Sequence, residues 1–241
     1  MTPVSSEASF IRIARPFALR RALAPAAARW SKTLLRYGFL LALVNAVALP
    51  AAAAETRILA LGDSLTAGYG LPAGQGFTFQ LEQALKAKGL DVRVLNAGVS
   101  GDTTAGGLAR LDWALGDKPD AAIVALGAND MLRGLDPTRA EQNLDAILGK
   151  LKARGVKVLL AGMRAAPNLG RDYAGRFDAI YPELSRKYGV ELYPFFLDGV
   201  AGIAALNQPD GMHPTAEGIG AMVQRILPYV ERLVGQARQA G

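Results

Sequence analysis

Ser64 and His213 are the residues from which a nucleophilic site can be assembled. A serine hydroxyl is a weak nucleophile until a base takes its proton, and His213 is the only imidazole in the 241-residue chain. Asp210 precedes His213 by three positions with Gly211 between them. That spacing lets the carboxylate fold back onto the ring, fix its tautomer and stabilise an imidazolium. Taken singly, a serine at a strand end reads as a helix N-cap and a lone histidine as a core or surface residue. The combination is what points to acyl transfer. Asp63, Asp102 and Asp130 are rival acids, each better suited to turn or loop hydrogen bonding.

Acyl transfer also needs donors for a tetrahedral oxyanion, each worth on the order of a hundredfold or more in rate. Three candidates follow three apolar runs: the Ser64 N–H, the Gly98 N–H and the Asn129 side-chain amide. Gly98 allows a backbone donor to approach closely, but it also reads as a loop glycine needing positive φ. Asn129 equally reads as a turn residue.

These residues need a scaffold that brings distant loops together. Short apolar runs alternate with segments of helical period, which predicts βαβ units and a parallel sheet covered on both faces. Strands are expected at Arg57 to Leu61, Asp91 to Leu95, Ala121 to Leu126 and Val156 to Ala161, with a weaker fifth at Glu191 to Tyr193. Helical spacing runs through Leu81, Ala84, Leu85 and Lys88, and through Ala140, Leu144, Ile147, Leu148 and Leu151. The last helix is the clearest, with Ile219, Met222, Val223, Ile226, Val230, Leu233 and Val234 on one stripe. In a doubly wound sheet the ligand lies beyond the carboxyl ends of the strands. The loops to inspect are therefore those at Gly62, Asn96, Gly127 and Gly162 to Ala174, with Asp210 to Pro214 before the last helix.

The N-terminus reads as a leader. Seven basic residues and one acid precede an apolar run from Tyr37 to Leu49, and alanines occupy positions 51 to 54. A basic region, an apolar core and small residues before a cleavage point make a secretory signal. The alternative is an uncleaved anchor, but the apolar run is shorter than the roughly 20 residues that span a bilayer. The expected organisation is a signal peptide over residues 1–54, cleaved near Ala54, and a single domain over 55–241. An exported protein, periplasmic or secreted, with no stable membrane anchor follows from that division.

The leader also explains the charge. The chain has 27 basic and 21 acidic residues, and losing residues 1–54 removes 7 and 1 of them, leaving 20 of each. A formally neutral domain gives no reason to expect nucleic acid as a partner. No cysteine and a single histidine leave only carboxylates as metal ligands, at no spacing that suggests a site. No cofactor and no metal are expected, and the domain is expected to be a monomer.

The blocks Gly62-Asp63-Ser64-Leu65, Gly98, Gly127-Ala128-Asn129-Asp130 and Asp210-Gly211-Met212-His213-Pro214, in this order, resemble the signature blocks of the GDSL or SGNH hydrolases. The strings at 62–70 and 129–135 are similar to the group of bacterial exported arylesterases, acyl-thioesterases and lysophospholipases. The resemblance covers nearly all of residues 57 to 234. It implies a three-layer, flavodoxin-like α/β fold with a five-stranded parallel sheet between helices. It further implies Ser64 as nucleophile, His213 as base, Asp210 as its orienting acid, and Ser64, Gly98 and Asn129 as oxyanion donors. The Gly-x-Ser-x-Gly elbow of the α/β-hydrolases is absent, because Gly98-Val99-Ser100-Gly101 does not close with the required glycine.

The implied substrate is a small acyl ester or thioester. Met131, Leu132, Leu135 and Leu169, with Phe195, Phe196 and Leu197, supply aliphatic and phenyl surface near the expected site and suit an acyl chain. The alternative within the same fold is a carbohydrate or cell-wall O-acetylesterase, which would need an open groove lined by aromatic residues. A non-catalytic envelope binding protein is the alternative from another class. It would be expected to have lost at least one of Ser64, Asn129, Asp210 and His213.

Overall fold

A computed structural model describes residues 55–239, and the expected leader, residues 1–54, lies outside the described residues. Five strands form one sheet: β1 (Thr56–Gly62), β2 (Val92–Gly98), β3 (Ala121–Ala125), β4 (Lys157–Ala161) and β5 (Glu191–Tyr193). Their order is β2-β1-β3-β4-β5 and every pairing is parallel. This is the flavodoxin-like arrangement, with the change of winding direction between β1 and β3. β1 and β3 are the central strands, and every residue of β3 is buried. That burial on both faces is why they read as continuous apolar runs.

The helices are α1 (Ser64–Ala67), α2 (Phe77–Ala87), α3 (Thr104–Ala114), α4 (Ala128–Leu132), α5 (Pro137–Ala153), α6 (Arg171–Tyr188) and α7 (Ala216–Arg238). α2 packs on α7, whereas α3, α5 and α6 form a separate row. The stripe expected on the last helix is the buried face of α7, including Met222, Ile226 and Val230. No helix among the described residues is long and apolar enough to cross a membrane.

Two features depart from the sequence reading. α6 begins at Arg171, inside the stretch expected to be a loop up to Ala174. Its buried stripe of Phe177, Ile180, Tyr181 and Leu184 is short for its 18 residues and interrupted by Pro182. More consequentially, β2 does not stop at Leu95 but runs three residues further, to Gly98. β2 is an edge strand whose Arg93 and Asn96 face solvent, and such exposed polar residues carry the same local signal as a loop. The ladder nevertheless continues until Gly98 pairs with Gly62.

Gly62 also pairs with Ala125 of β3, so three strands end level. This register sets Asp63-Ser64, the Val99–Asp102 loop and the Leu126–Asn129 turn side by side at one edge of the sheet.

Candidate active site

Ser64 is the first residue of α1, a single helical turn directly after β1. The cap of that turn is Asp63, whose carboxylate accepts the Leu65 N–H at 3.0 Å. The helix therefore does not need the Ser64 hydroxyl as a cap. Instead Ser64 Oγ lies 2.9 Å from His213 Nε2.

His213 reaches Ser64 from the other end of the chain on a loop closed by its own hydrogen bonds. Asn207 and Pro214 form an antiparallel bridge, and the Gln208 N–H donates to the His213 carbonyl at 2.7 Å. The Gln208 amide also donates to the Tyr69 and Pro214 carbonyls, tying this loop to the segment that follows α1. At the tip, Asp210 Oδ2 is 2.7 Å from His213 Nδ1. Its Oδ1 accepts the Met212 and His213 N–H groups at 2.9 and 3.0 Å. Those backbone donors, followed by the ring, hold the Asp210 carboxyl down at about 2. An ionised Asp210 keeps a proton on Nδ1 and turns the Nε2 lone pair toward Ser64.

The rival acids are occupied elsewhere. Asp102 pairs with Arg110 at 2.6 Å. Asp130 accepts both the N–H and the hydroxyl of Thr104. Asp63 is fully buried beneath Ser64. Burial pushes its carboxyl up to about 6, against the opposing pull of the Leu65 N–H, the nearby His213 and Asn129.

Asn129 lies in α4, and its Nδ2 donates to the Asp102 carbonyl at 2.9 Å. Asp63 Oδ2 is 3.4 Å from the same nitrogen, at the long limit for a hydrogen bond. One amide hydrogen is thus anchored, and the other is held only weakly.

Gly98 does not reach the cleft. Its N–H donates to Asn96 Oδ1 at 2.9 Å. A Cβ on it would fall 2.3 Å from the Ala67 nitrogen, so β2 passes directly against the backbone of α1 at this point. Gly98 is therefore a packing glycine, and its φ is not in the left-handed region. Of the two glycines at the end of β2 and in the loop beyond it, Gly101, at φ 83°, is the one that lines the cleft. Among the described residues its N–H has no hydrogen-bond partner, while its carbonyl accepts from Arg133 at 2.7 Å. The three-residue extension of β2 displaces the loop tip by three residues, from Gly98 to Gly101. The signal that could have found it is the Ser100-Gly101-Asp102 turn.

The cleft holds about 370 Å³ and has Ser64, Asn129 and His213 in its wall. Met131 and Leu132 line it, whereas Leu135 and Leu169 do not. Leu135 follows the turn at Gly134 and Leu169 lies in a short 3-10 turn, both outside the cleft wall. Leu197 also contributes, but Phe196 is core, packed edge-on against Phe77 at 4.9 Å. Phe195 sits beside the Arg164 guanidinium. Unanticipated apolar surface comes from Leu65, Tyr69 and Met212. The Tyr69 ring lies 4.5 Å from the His213 ring, centroid to centroid, and covers one side of the imidazole.

Residues 60–220 match the GDSL-like lipase/acylhydrolase family. The chain belongs to that family. The matched stretch begins within β1 and ends within α7, so it contains every residue of the site. Among curated relatives of this GDSL-like protein, esterase TesA of Pseudomonas aeruginosa is 41% identical over 184 residues, which are 76% of this chain and 91% of that one. Thioesterase 1/protease 1/lysophospholipase L1 of Escherichia coli K12 is 42% identical over 168 residues, 69% of this chain and 79% of that one. Among solved structures, AlinE4, an SGNH-hydrolase family esterase, is 51% identical with a TM-score of 0.64 and covers 74% of this chain and 96% of that chain.

Proposed function

We propose that this GDSL-family chain is a serine hydrolase of carboxylic esters and acyl thioesters that works through an acyl-serine intermediate. The observation that carries this reading is the unbroken line Asp210 Oδ2–His213 Nδ1 and His213 Nε2–Ser64 Oγ, at 2.7 and 2.9 Å, in the wall of an apolar cleft. The relatives named as esterase and thioesterase support the substrate class.

In the first half-reaction His213 Nε2 takes the Ser64 proton as Oγ bonds to the acyl carbon. The carbonyl π electrons move onto oxygen, and the oxyanion is met by the Ser64 N–H, the Gly101 N–H and the weakly held hydrogen of Asn129 Nδ2, which gives up its long contact to Asp63. The positive end of α1 adds little, since the helix is one turn long, so the individual donors matter most. Collapse re-forms the carbonyl, breaks the bond to the alcohol or thiol, and passes the imidazolium proton to that leaving group. Water then enters, gives its proton to His213 and attacks the acyl-serine. The carboxylic acid leaves and the proton returns to Ser64.

Residues 1–54 serve in this account as a cleaved secretory signal, and the hydrolase is a monomer acting outside the cytoplasm. The basic, apolar and small-residue regions of the leader support export.

The reading is tested with nitrophenyl esters of increasing acyl length. The native protein should hydrolyse them and prefer chains longer than acetyl. Undiminished hydrolysis by the Ser64→Ala variant would overturn the mechanism. A strong preference for acetyl would overturn the acyl-chain assignment and favour an O-acetylesterase.

A further inference from the structure

Arg110 lies on α3, away from the cleft wall, yet each hydrogen bond it makes leads to the loops that carry the site. Its Nε donates to Asp102 Oδ2 at 2.6 Å, and a terminal nitrogen donates to the Gly62 carbonyl at 2.9 Å. The pair is well shielded, with side chains only 19% and 18% exposed. Gly62 is the last residue of β1, and its carbonyl belongs to the peptide that leads into Asp63 and Ser64. The same carbonyl accepts the Val99 N–H at 3.1 Å, where the Gly101 loop leaves the sheet. Asp102 directly follows Gly101, and its own carbonyl accepts Asn129 Nδ2.

One guanidinium therefore bridges the Ser64 turn to the residue that adjoins Gly101 and holds Asn129. We propose that Arg110 is a positioning residue that fixes the three oxyanion donors relative to one another. The inference rests on the hydrolase reading above. The job calls for arginine because its planar fork engages a carboxylate and a carbonyl together, whereas a lysine ammonium is a single point.

A purely structural role explains the arrangement less well. α3 has its own supports: the Thr103 hydroxyl caps it at Gly106, Asp130 holds Thr104, and Leu111 and Ala114 are buried. Neither acceptor of Arg110 belongs to the helix layer. Both belong to the loop edge of the sheet.

The test compares Arg110→Ala, Arg110→Lys and Asp102→Asn with the native protein. Readouts are kcat and KM on a nitrophenyl ester, affinity for a trifluoromethyl ketone that forms a tetrahedral adduct, and thermal unfolding. Misplacing donors by about 1 Å lowers the rate by up to about 100-fold, so kcat should fall roughly 10- to 100-fold in Arg110→Ala with KM within about threefold. Affinity for the trifluoromethyl ketone should fall in step with kcat. Asp102→Asn should show a smaller loss, and added guanidinium should restore part of the Arg110→Ala rate without speeding the native protein.

Native kcat in folded Arg110→Ala would overturn the inference. So would a loss that guanidinium does not restore and that leaves ketone affinity unchanged. If Arg110→Ala does not fold, Arg110→Lys decides: reduced kcat at unchanged KM supports positioning, and native kcat overturns it. Ser64→Ala separates the two levels. If that variant retains full activity, the hydrolase mechanism and this inference fall together; if it is inactive, the Arg110 results bear on the inference alone.

Discussion

Asp210 holds His213 by both ends: one carboxylate oxygen accepts the residue's backbone N–H at 3.0 Å, and the other lies 2.7 Å from its ring nitrogen. The turn that shapes the loop is thereby the device that orients the ring. Asp210→Asn keeps an acceptor for the backbone but loses the negative charge that stabilises the imidazolium. The expected result is a fall in kcat on the order of 10³- to 10⁴-fold with little change in melting temperature. Steady-state kinetics alongside thermal unfolding checks both halves.

Two carboxyls give stability opposite dependences on pH. Asp210 is held below its ordinary value, at about 2. Its contribution is present above the unfolded value near 3.8 and is lost as pH falls through about 2. Asp63 is raised from 3.8 to about 6 by burial, so the folded state binds its proton more tightly than the unfolded chain does. That contribution is complete below 3.8 and is lost as pH rises through about 6. Denaturant unfolding of native protein and Asp63→Asn across this window should show the native protein losing stability relative to the variant as pH rises. An unchanged difference would remove Asp63 from the account.

Asn129→Ala removes a side-chain donor without touching Ser64 or His213. A drop in kcat of about 10²- to 10³-fold at nearly constant KM is expected. Gly98→Ala should behave differently, since the added methyl meets the Ala67 backbone: the loss should appear in stability. A Gly98→Ala variant of native melting temperature but much reduced kcat would return Gly98 to the oxyanion site.

Leu132 lines the cleft and is exposed, so it offers apolar surface that an acyl chain can cover. Shortening it should lower kcat/KM for an octanoyl ester by several-fold, in keeping with about 0.8 kcal/mol per buried methylene, and leave an acetyl ester nearly unaffected. Leu169→Ala should change neither, because Leu169 stands outside the cleft. Ratios of kcat/KM for the two esters report the difference.

What could be read from the sequence was what local chemistry dictates. The apolar runs of β1 and β3 and the stripe of α7 follow from burial on known periods, and Asp210 and His213 meet because they stand three positions apart. What could not be read depended on neighbours in space. The end of β2 is set by its ladder with β1, so the local pattern reads Asn96 as loop and puts the tip at Gly98, whereas the ladder carries it to Gly101. Tyr69 covers His213 where Gln208 binds the Tyr69 carbonyl from 139 positions away, a contact no local pattern announces. Leu135 and Leu169 have the right character for an acyl pocket, but their turns direct them outside it.

The central claim, that Ser64 is the nucleophile activated by His213, is tested most directly by fluorophosphonate labelling followed by peptide mapping. The account expects one phosphonyl group per chain, on Ser64, and none in Ser64→Ala. It also expects labelling slowed by orders of magnitude when His213 is replaced. A label on another residue, or equal labelling of the Ser64→Ala variant, would contradict it.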